Sequence, residues 1–320
     1  MRTPRVSVLI PSYNCARYLP EAIESVLEQE FRDFELLIID DSSTDDSRAV
    51  IERYAAADSR VDFQCNAVNL GAVPNWNRCL AHARGEYVQL LCCDDALATA
   101  QALGKMAGLL EANPTAVLAA SARRLIDEKS RVLEVWSGLG PPGLKKGGEI
   151  AARCLEQNGN LIGEPSAVMF RRRNAGRGFD ERFRQMVDLE MWFHLLEQGD
   201  LIYTPEPLCA FRKHPLQLTA FNYANRIGLN ESSLLLIEYF PKPWMRQYLS
   251  RQMLFIQIYH ARKRRVKPEG VDEIERQLLQ TLGRWWYAAL WLRRRITKPF
   301  LDLRKSVARH LQAYFRKLAA

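Results

Sequence analysis

The sequence has no long apolar run, no paired cysteine spacing and few histidines, and each absence removes a class of protein. Nowhere in its 320 residues is there an unbroken apolar stretch of the about 18 residues that a membrane-crossing helix needs. The opening MRTPRVSVLIPSYN holds too short an apolar stretch, interrupted by Pro11, to suit a signal peptide. Seven cysteines, Cys15, Cys65, Cys79, Cys92, Cys93, Cys154 and Cys209, form an odd, scattered set without metal-ligand spacing. They read as reduced cytosolic thiols, not as a disulfide framework. His82, His194, His260 and His310 have no companions at ligand spacing. The glycines and lysines near residue 147 lack Walker-type spacing, which removes the common phosphate-cradling loop.

What is present is an ordinary globular composition, 48% apolar, enough for one large domain or two modest ones. Charge is unevenly spread. From Pro241 to the end there are 19 Lys and Arg against 5 Asp and Glu, a net of +14, whereas the residues before it carry a net of −6. An acidic body with a basic tail points to an anionic partner surface, membrane or nucleic acid.

The most informative stretch is Tyr87 to Leu97, YVQLLCCDDAL, an apolar run ending in two adjacent carboxylates. It reads as a buried strand with Asp94 and Asp95 just past its C-terminal end, where open α/β sheets bind ligands. Neighbouring carboxylates stay ionised together only when exposed or beside a cation, and oxygen ligands suit magnesium or manganese. A solvated turn or a helix N-cap is the structural alternative.

The preceding chain repeats this construction. Arg5 to Ile10 predicts a first strand, followed by a turn over Pro11, Ser12, Tyr13 and Asn14, then a helix carried by Leu19, Ile23, Val26 and Leu27. Phe34 to Ile39 predicts a second strand that runs into Asp40 and Asp41. Arg60 to Cys65 reads as a third strand, Asn69-Leu70-Gly71 as a turn, and Val73 to Ala83 as a helix stopped by Gly85. Such alternation predicts a mostly parallel sheet with helices on both faces and one crevice shared by the carboxylates.

Four of these blocks, VSVLIPSYN, FRDFELLIIDDSSTDDS, NLGAVPNWNRCLAHARGEY and LLCCDD, resemble in order and spacing the signature of family 2 glycosyltransferases with the GT-A fold. The resemblance runs from about Val6 to about Thr219. It implies a Rossmann-like GT-A catalytic domain over residues 1–220 that binds a nucleotide-diphosphate-sugar donor through Pro11, Tyr13, Asn14, Asp41, Asp94 and Arg212. Tyr13 would stack near the base and Asp41 would hydrogen-bond the base or ribose. A divalent cation, Mn2+ or Mg2+, would sit on Asp94 and Asp95, letting an acidic site accept a diphosphate. Cys92 departs from the family's Asp-x-Asp-Asp pattern, and a soft thiol is a poor magnesium ligand. Either Asp94 and Asp95 suffice, or metal binding is lost and a donor-binding protein without catalysis remains.

In relatives an Asp four residues before a Trp is the catalytic base, and Asp188, ahead of Trp192, matches it. Glu190 is a rival, and a helix N-cap role for Asp188 is the structural alternative. Phe211-Arg212-Lys213-His214 is similar to the family's Arg-x-His segment, which would bring Arg212 or His214 to the diphosphate or metal; a structural histidine is the other reading. A helix from Gln101 to Leu110 is expected, then strands over Ala116 to Ala122, Val132 to Val135, Leu161 to Phe170 and Leu201 to Tyr203, the last followed by a Pro-rich turn. Ser137 to Gly148 reads as a long Gly/Pro-rich loop, either a surface connection or a lid over the acceptor.

Residues 221–320 predict an α-helical region. Trp285 to Leu292 is aromatic, too short to span a bilayer and flanked by Arg284 and Arg293 to Arg295, which suits an anionic headgroup boundary. A packed helical subdomain or dimer contact is the alternative. Phe300, Leu303, Val307, Leu311, Tyr314 and Leu318 form one apolar stripe. Gln280 with Arg284-Trp285 is similar to the Gln-x-x-Arg-Trp motif of processive synthases, but its spacing is one residue too long and the spanning helices are absent. Single-sugar transfer to a saccharide or lipid-linked saccharide of a bacterial surface polysaccharide is therefore expected, at the inner face of the plasma membrane. A nucleic-acid partner is not expected, given the acidic body and the lack of a recognisable module.

Overall fold

The computed structural model describes residues 3–157, 159–225, 227–228 and 231–249, with single positions between 272 and 292. The chain divides into two compact units, Met1–Ser232 with Lys242–Tyr248, and Ser233–Pro241 with Leu249–Ala320. The aromatic segment at Trp285, the Gln-Arg-Trp resemblance and the stripe from Phe300 lie wholly or mostly outside the described residues.

The first unit alternates strands and helices: β1 Val6–Ser12, α1 Leu19–Leu27, β2 Phe34–Asp40, α2 Ser47–Ala57, β3 Val61–Cys65, α3 Ala72–His82 and β4 Tyr87–Leu90. Next come β5 Ala96–Leu97, α4 Ala102–Ala112, β6 Ala116–Ile126, β7 Val132–Trp136, β8 Gly143–Lys145, α5 Gly147–Gln157 and β9 Val168–Arg171. The series closes with α6 Val187–Leu196, β10 Asp200–Arg212 and α7 Leu218–Ala224; α8 Glu231–Tyr239 begins at the boundary with the second unit.

The strands form one sheet in the order β3-β2-β1-β4-β9-β6-β10-β5, with β7 beside β6 and β8 beside β10. From β3 to β4 every pairing is parallel, as the alternating pattern predicts. Beyond β4 the sheet is mixed, because β9 inserts antiparallel between β4 and β6 while β10 runs parallel to β6. Strands β1 and β2 are buried at every position and mostly apolar, with Ser7 and Glu35 paired to each other, and helix α1 lays Leu19, Ala22, Ile23 and Val26 against them.

Four local expectations change. Pro11 and Ser12 belong to β1, registered with Ile39 and Asp40, instead of starting a turn. Pro11 shares the parity of Leu9, whose carbonyl accepts from Leu91 N, so its missing N–H falls beyond the end of β4 and leaves no ladder bond unmade. The Pro-rich segment after Tyr203 is no turn: β10 continues through Pro205 and Pro207 with register shifts, the bulges that a residue lacking an N–H requires inside a sheet. The expected strand over Leu161 to Phe170 is a loop and a 3-10 turn at Pro165–Ala167, with only β9 extended. Lastly, Ser137 to Gly148 holds β8, paired to β10, and the start of α5.

Candidate active site

The C-terminal ends of β1, β2 and β10 and the segment after β4 supply most of the expected residues. Tyr13 is 48% exposed beyond β1. Asn14 takes the left-handed conformation (φ 50°), which asparagine tolerates, and its Oδ1 accepts from Thr44 N at 2.8 Å, tying the β1 loop to the β2 loop. Asp41 is buried instead of open to a ligand. Its oxygens accept from Asn66 Nδ2 (2.6 Å), Leu70 N (2.9 Å) and Gly71 N (2.8 Å), so this carboxylate holds the segment ahead of α3.

Arg212 also has a different post from the one expected. It is 1% exposed, and its guanidinium donates to the Asp94 carbonyl (2.7 Å), the Asp127 carbonyl (3.1 Å), Ser130 Oγ (2.9 Å) and Glu21 Oε2 (2.6 Å). Through these bonds Arg212 fixes the Asp94 backbone.

Asp94 and Asp95 play unequal parts. Asp95 is 1% exposed and accepts from Ser166 Oγ at 2.6 Å and Arg212 N at 2.9 Å. Burial, with Asp94 beside it, lifts its carboxyl well above the usual range. Asp94 is more open, and its Oδ2 lies 2.9 Å from His214 Nε2. Ligand atoms of Cys92, Asp94 and Asp95 lie within 4.8 Å of one another, but burial pushes the Cys92 thiol up, which keeps it protonated and a poor ligand. The donor set fits a hard divalent ion held mainly by Asp94, with His214 at its side and Asp95 as a buried buttress. Magnesium-type sites use one or two carboxylates and leave the remaining positions to phosphate oxygens and water.

Asp188 lies in the first turn of α6, across the cleft. It is not the cap, since Met186 holds that position and Asp188 is the second residue of the helix; the backbone N–H groups of Arg184, Gln185 and Met186 are taken by the Glu231 carboxylate at 2.9, 2.9 and 2.7 Å. Desolvation, its largest influence, raises the Asp188 carboxyl to about 7, and the nearby Glu164 charge adds to the effect. Glu190, the rival, is fully buried and paired in a fork to Arg177 at 2.8 and 2.6 Å. Asp188 and His214 line a cavity of about 740 Å³. A smaller one of about 130 Å³, with Asp94 and Cys92 in its wall, shares Asp188 and Glu164 with it. Asp94 and Asp188 therefore both line the smaller cavity, while Asp41 lines neither.

Sequence reasoning missed several lining residues. Arg123 pairs with Glu164 at 2.5 Å, and Trp136 carries Lys213 Nζ 4.7 Å and Arg123 Cζ 5.3 Å from its ring centroid. Trp136 ends the otherwise exposed β7, and an aromatic closing a polar-flanked strand beside a Gly/Pro-rich segment was the one available signal. Glu164 sits in a segment misread as strand, so its orientation was not readable.

A mixed sheet flanked by helices, with carboxylates beyond its strand ends, is the GT-A fold. The chain belongs to glycosyl transferase family 2, whose model matches residues 7–178. It is similar to a GalNAc(5)-diNAcBac-PP-undecaprenol beta-1,3-glucosyltransferase of Campylobacter jejuni, 27% identical over 61% of this chain and 60% of that protein. Among solved structures, the fold is shared with S. aureus TarS 1–349 in complex with UDP-GlcNAc (TM-score 0.58, 17% identical, covering 84% of this chain and 83% of that one). It is also shared with the mannosyltransferase PcManGT of Pyrobaculum calidifontis in complex with GDP-Man and Mn2+ (TM-score 0.54, 16% identical, 96% and 81%). None of the described helices is long and apolar enough to cross a membrane.

Proposed function

We propose that this chain is an inverting glycosyltransferase that moves one sugar from a nucleotide-diphosphate-sugar to a hydroxyl of a lipid-linked saccharide, in the building of a surface polysaccharide. The observation that carries this reading is that Asp188, with its carboxyl raised to about 7, and Asp94 line one cavity. In a single displacement, Asp188 accepts the acceptor's O–H proton while that oxygen bonds to the anomeric carbon and the bond from that carbon to the diphosphate oxygen breaks. An aspartate with a pKa near neutrality is a competent base for this step, and such proton removal is worth about 10²- to 10⁴-fold. A divalent ion bound at Asp94 and His214 would offset charge on the leaving diphosphate. Tyr13, exposed beside the β1 end, is placed to meet the nucleotide base, and Asp41 and Arg212 act by holding loops in position.

The acceptor assignment is supported by the lipid-linked saccharide in the name of the Campylobacter relative and by the apolar rim of the cleft. Thr219 and Ala220 line the larger cavity, and beside them Leu216 is 90% exposed, with Leu218 and Phe221 also open to solvent. With the basic residues beyond Pro241, this rim suits attachment to an anionic membrane surface.

The test is Asp188→Asn, assayed for transfer from a panel of UDP- and GDP-sugars to extracted lipid-linked saccharides, with product anomers read by NMR. Transfer falls by at least about 10²-fold while donor binding is kept. Full activity in the variant, or retained anomeric configuration in the wild-type product, contradicts the reading.

A further inference from the structure

The four-residue spacing between Asp188 and Trp192 has a physical meaning that the displacement alone does not supply. Residues four apart stand on one face of a helix. Here both reach the same loop. Trp192 Nε1 donates to the Gly163 carbonyl at 2.9 Å. Asn160 Nδ2 donates to that same carbonyl and to Asp188 Oδ2, each at 2.9 Å. Asn160 Oδ1 closes the loop by accepting from Ile162 N and Gly163 N, each at 3.0 Å. Gly163 adopts φ +137°, a conformation that side chains resist, and Trp192 is fully buried, so the brace has little freedom to shift. The other Asp188 oxygen accepts from Leu189 N at 2.7 Å. Both oxygens are thus held, which leaves the remaining lone pairs of the carboxylate for the cleft.

We propose that Asn160, braced by Trp192 through the Gly163 carbonyl, is the positioning residue that fixes the rotation of the Asp188 carboxylate for proton removal. The inference rests on the base assignment above and deepens it. The two jobs of Asn160 overlap at one atom: Oδ1 serves the loop alone, while Nδ2 holds the base and also ties to the Gly163 carbonyl. Asn160→Asp keeps an acceptor for Ile162 N and Gly163 N but removes the donor to Asp188 and to the Gly163 carbonyl and sets a second carboxylate against the base. The other charge acting on Asp188 is Glu164, which stays paired to Arg123 in this variant.

Two measurements decide the matter. Carbon NMR titration of aspartate-labelled protein, with Asp188→Asn to assign the resonance, reads the Asp188 carboxyl without substrate. Turnover, read as nucleoside diphosphate released from the UDP- and GDP-sugar panel in the presence of extracted lipid-linked saccharides, separates kcat from the donor KM. In Asn160→Asp the Asp188 midpoint rises by about one pH unit or more, since a like charge has replaced a donor. Its kcat falls by about tenfold or more with the donor KM unchanged, because the misaligned base acts only on the reacting proton. A wild-type midpoint and kcat in Asn160→Asp would overturn the proposal and leave Asn160 a loop-shaping residue. Asn160→Ala, which also removes the acceptor for Ile162 N and Gly163 N, loses more thermal stability than the aspartate variant; if it does not fold, the aspartate variant still decides. Full activity in Asp188→Asn overturns the base assignment itself, and is told apart because the Asp188 midpoint in Asn160→Asp moves all the same.

Discussion

Asp188 keeps its proton to about pH 7 because the protein around it disfavours the charge. Since the base works ionised, kcat/KM should rise with pH through an acid limb centred near 7, and a profile flat from pH 5.5 to 8 would exclude the role. Linkage gives a second expectation with its own sign. In the unfolded chain an aspartate ionises near about 4, so between there and 7 the unfolded state releases a proton that the folded state keeps. The contribution of Asp188 to stability therefore declines as pH rises through that window, and Asp188→Asn should flatten the decline in urea melts. At this scale the places of Asp94, just past β4, and of Asp188, in the first turn of α6, were legible from the end of an apolar run and the start of a helical pattern. The fates of Arg212 and Asp41 were not. An arginine at a strand end looks ready for a phosphate, but its donors are taken by Glu21, Asp127 and Ser130, residues 191, 85 and 82 positions away.

Elements before residue 90 were legible because hydrophobic period and chain order agree there: parallel strands buried on both faces read as unbroken apolar runs. After residue 90 the signals mislead. Prolines at 205 and 207 ordinarily end a strand, yet bulges carry β10 past them to deliver Arg212 and His214 to the site. The short β9 hides behind a Gly-Glu-Pro loop whose role is to present Glu164 and Ser166. One element-level joint is sharply constrained. A methyl group on Gly85, where the chain turns from α3 into β4, would lie 2.5 Å from Ser7 N and 2.8 Å from Ser7 Oγ. That hydroxyl already accepts from Gly85 N and donates to Glu35. Gly85→Ala should cost about 1–3 kcal/mol in denaturant melts by forcing β1 and β4 apart, whereas Gly176→Ala, with open space around it, should cost far less. Equal stability of the two variants would refute this packing.

The whole molecule joins an acidic cleft to a basic tail, and the charge asymmetry was plain from composition alone. Its purpose is testable without knowing the acceptor. Replacing Arg293, Arg294 and Arg295 by alanine should remove about 3 kcal/mol of attraction to an anionic leaflet. Cosedimentation with phosphatidylglycerol vesicles should drop by roughly a hundredfold in partitioning, and binding that survives unchanged would argue for a packed or dimeric role instead. The central claim is that Asp94, with His214, lets an acidic cleft accept a nucleotide sugar through a divalent cation. Its most direct test is calorimetric titration of UDP-GlcNAc and GDP-mannose into the full chain, with Mn2+ and with EDTA, for wild type and Asp94→Asn. The account predicts binding of at least one donor with Mn2+, weakened by about tenfold or more both by chelation and by the substitution; equal affinity under all four conditions would contradict it.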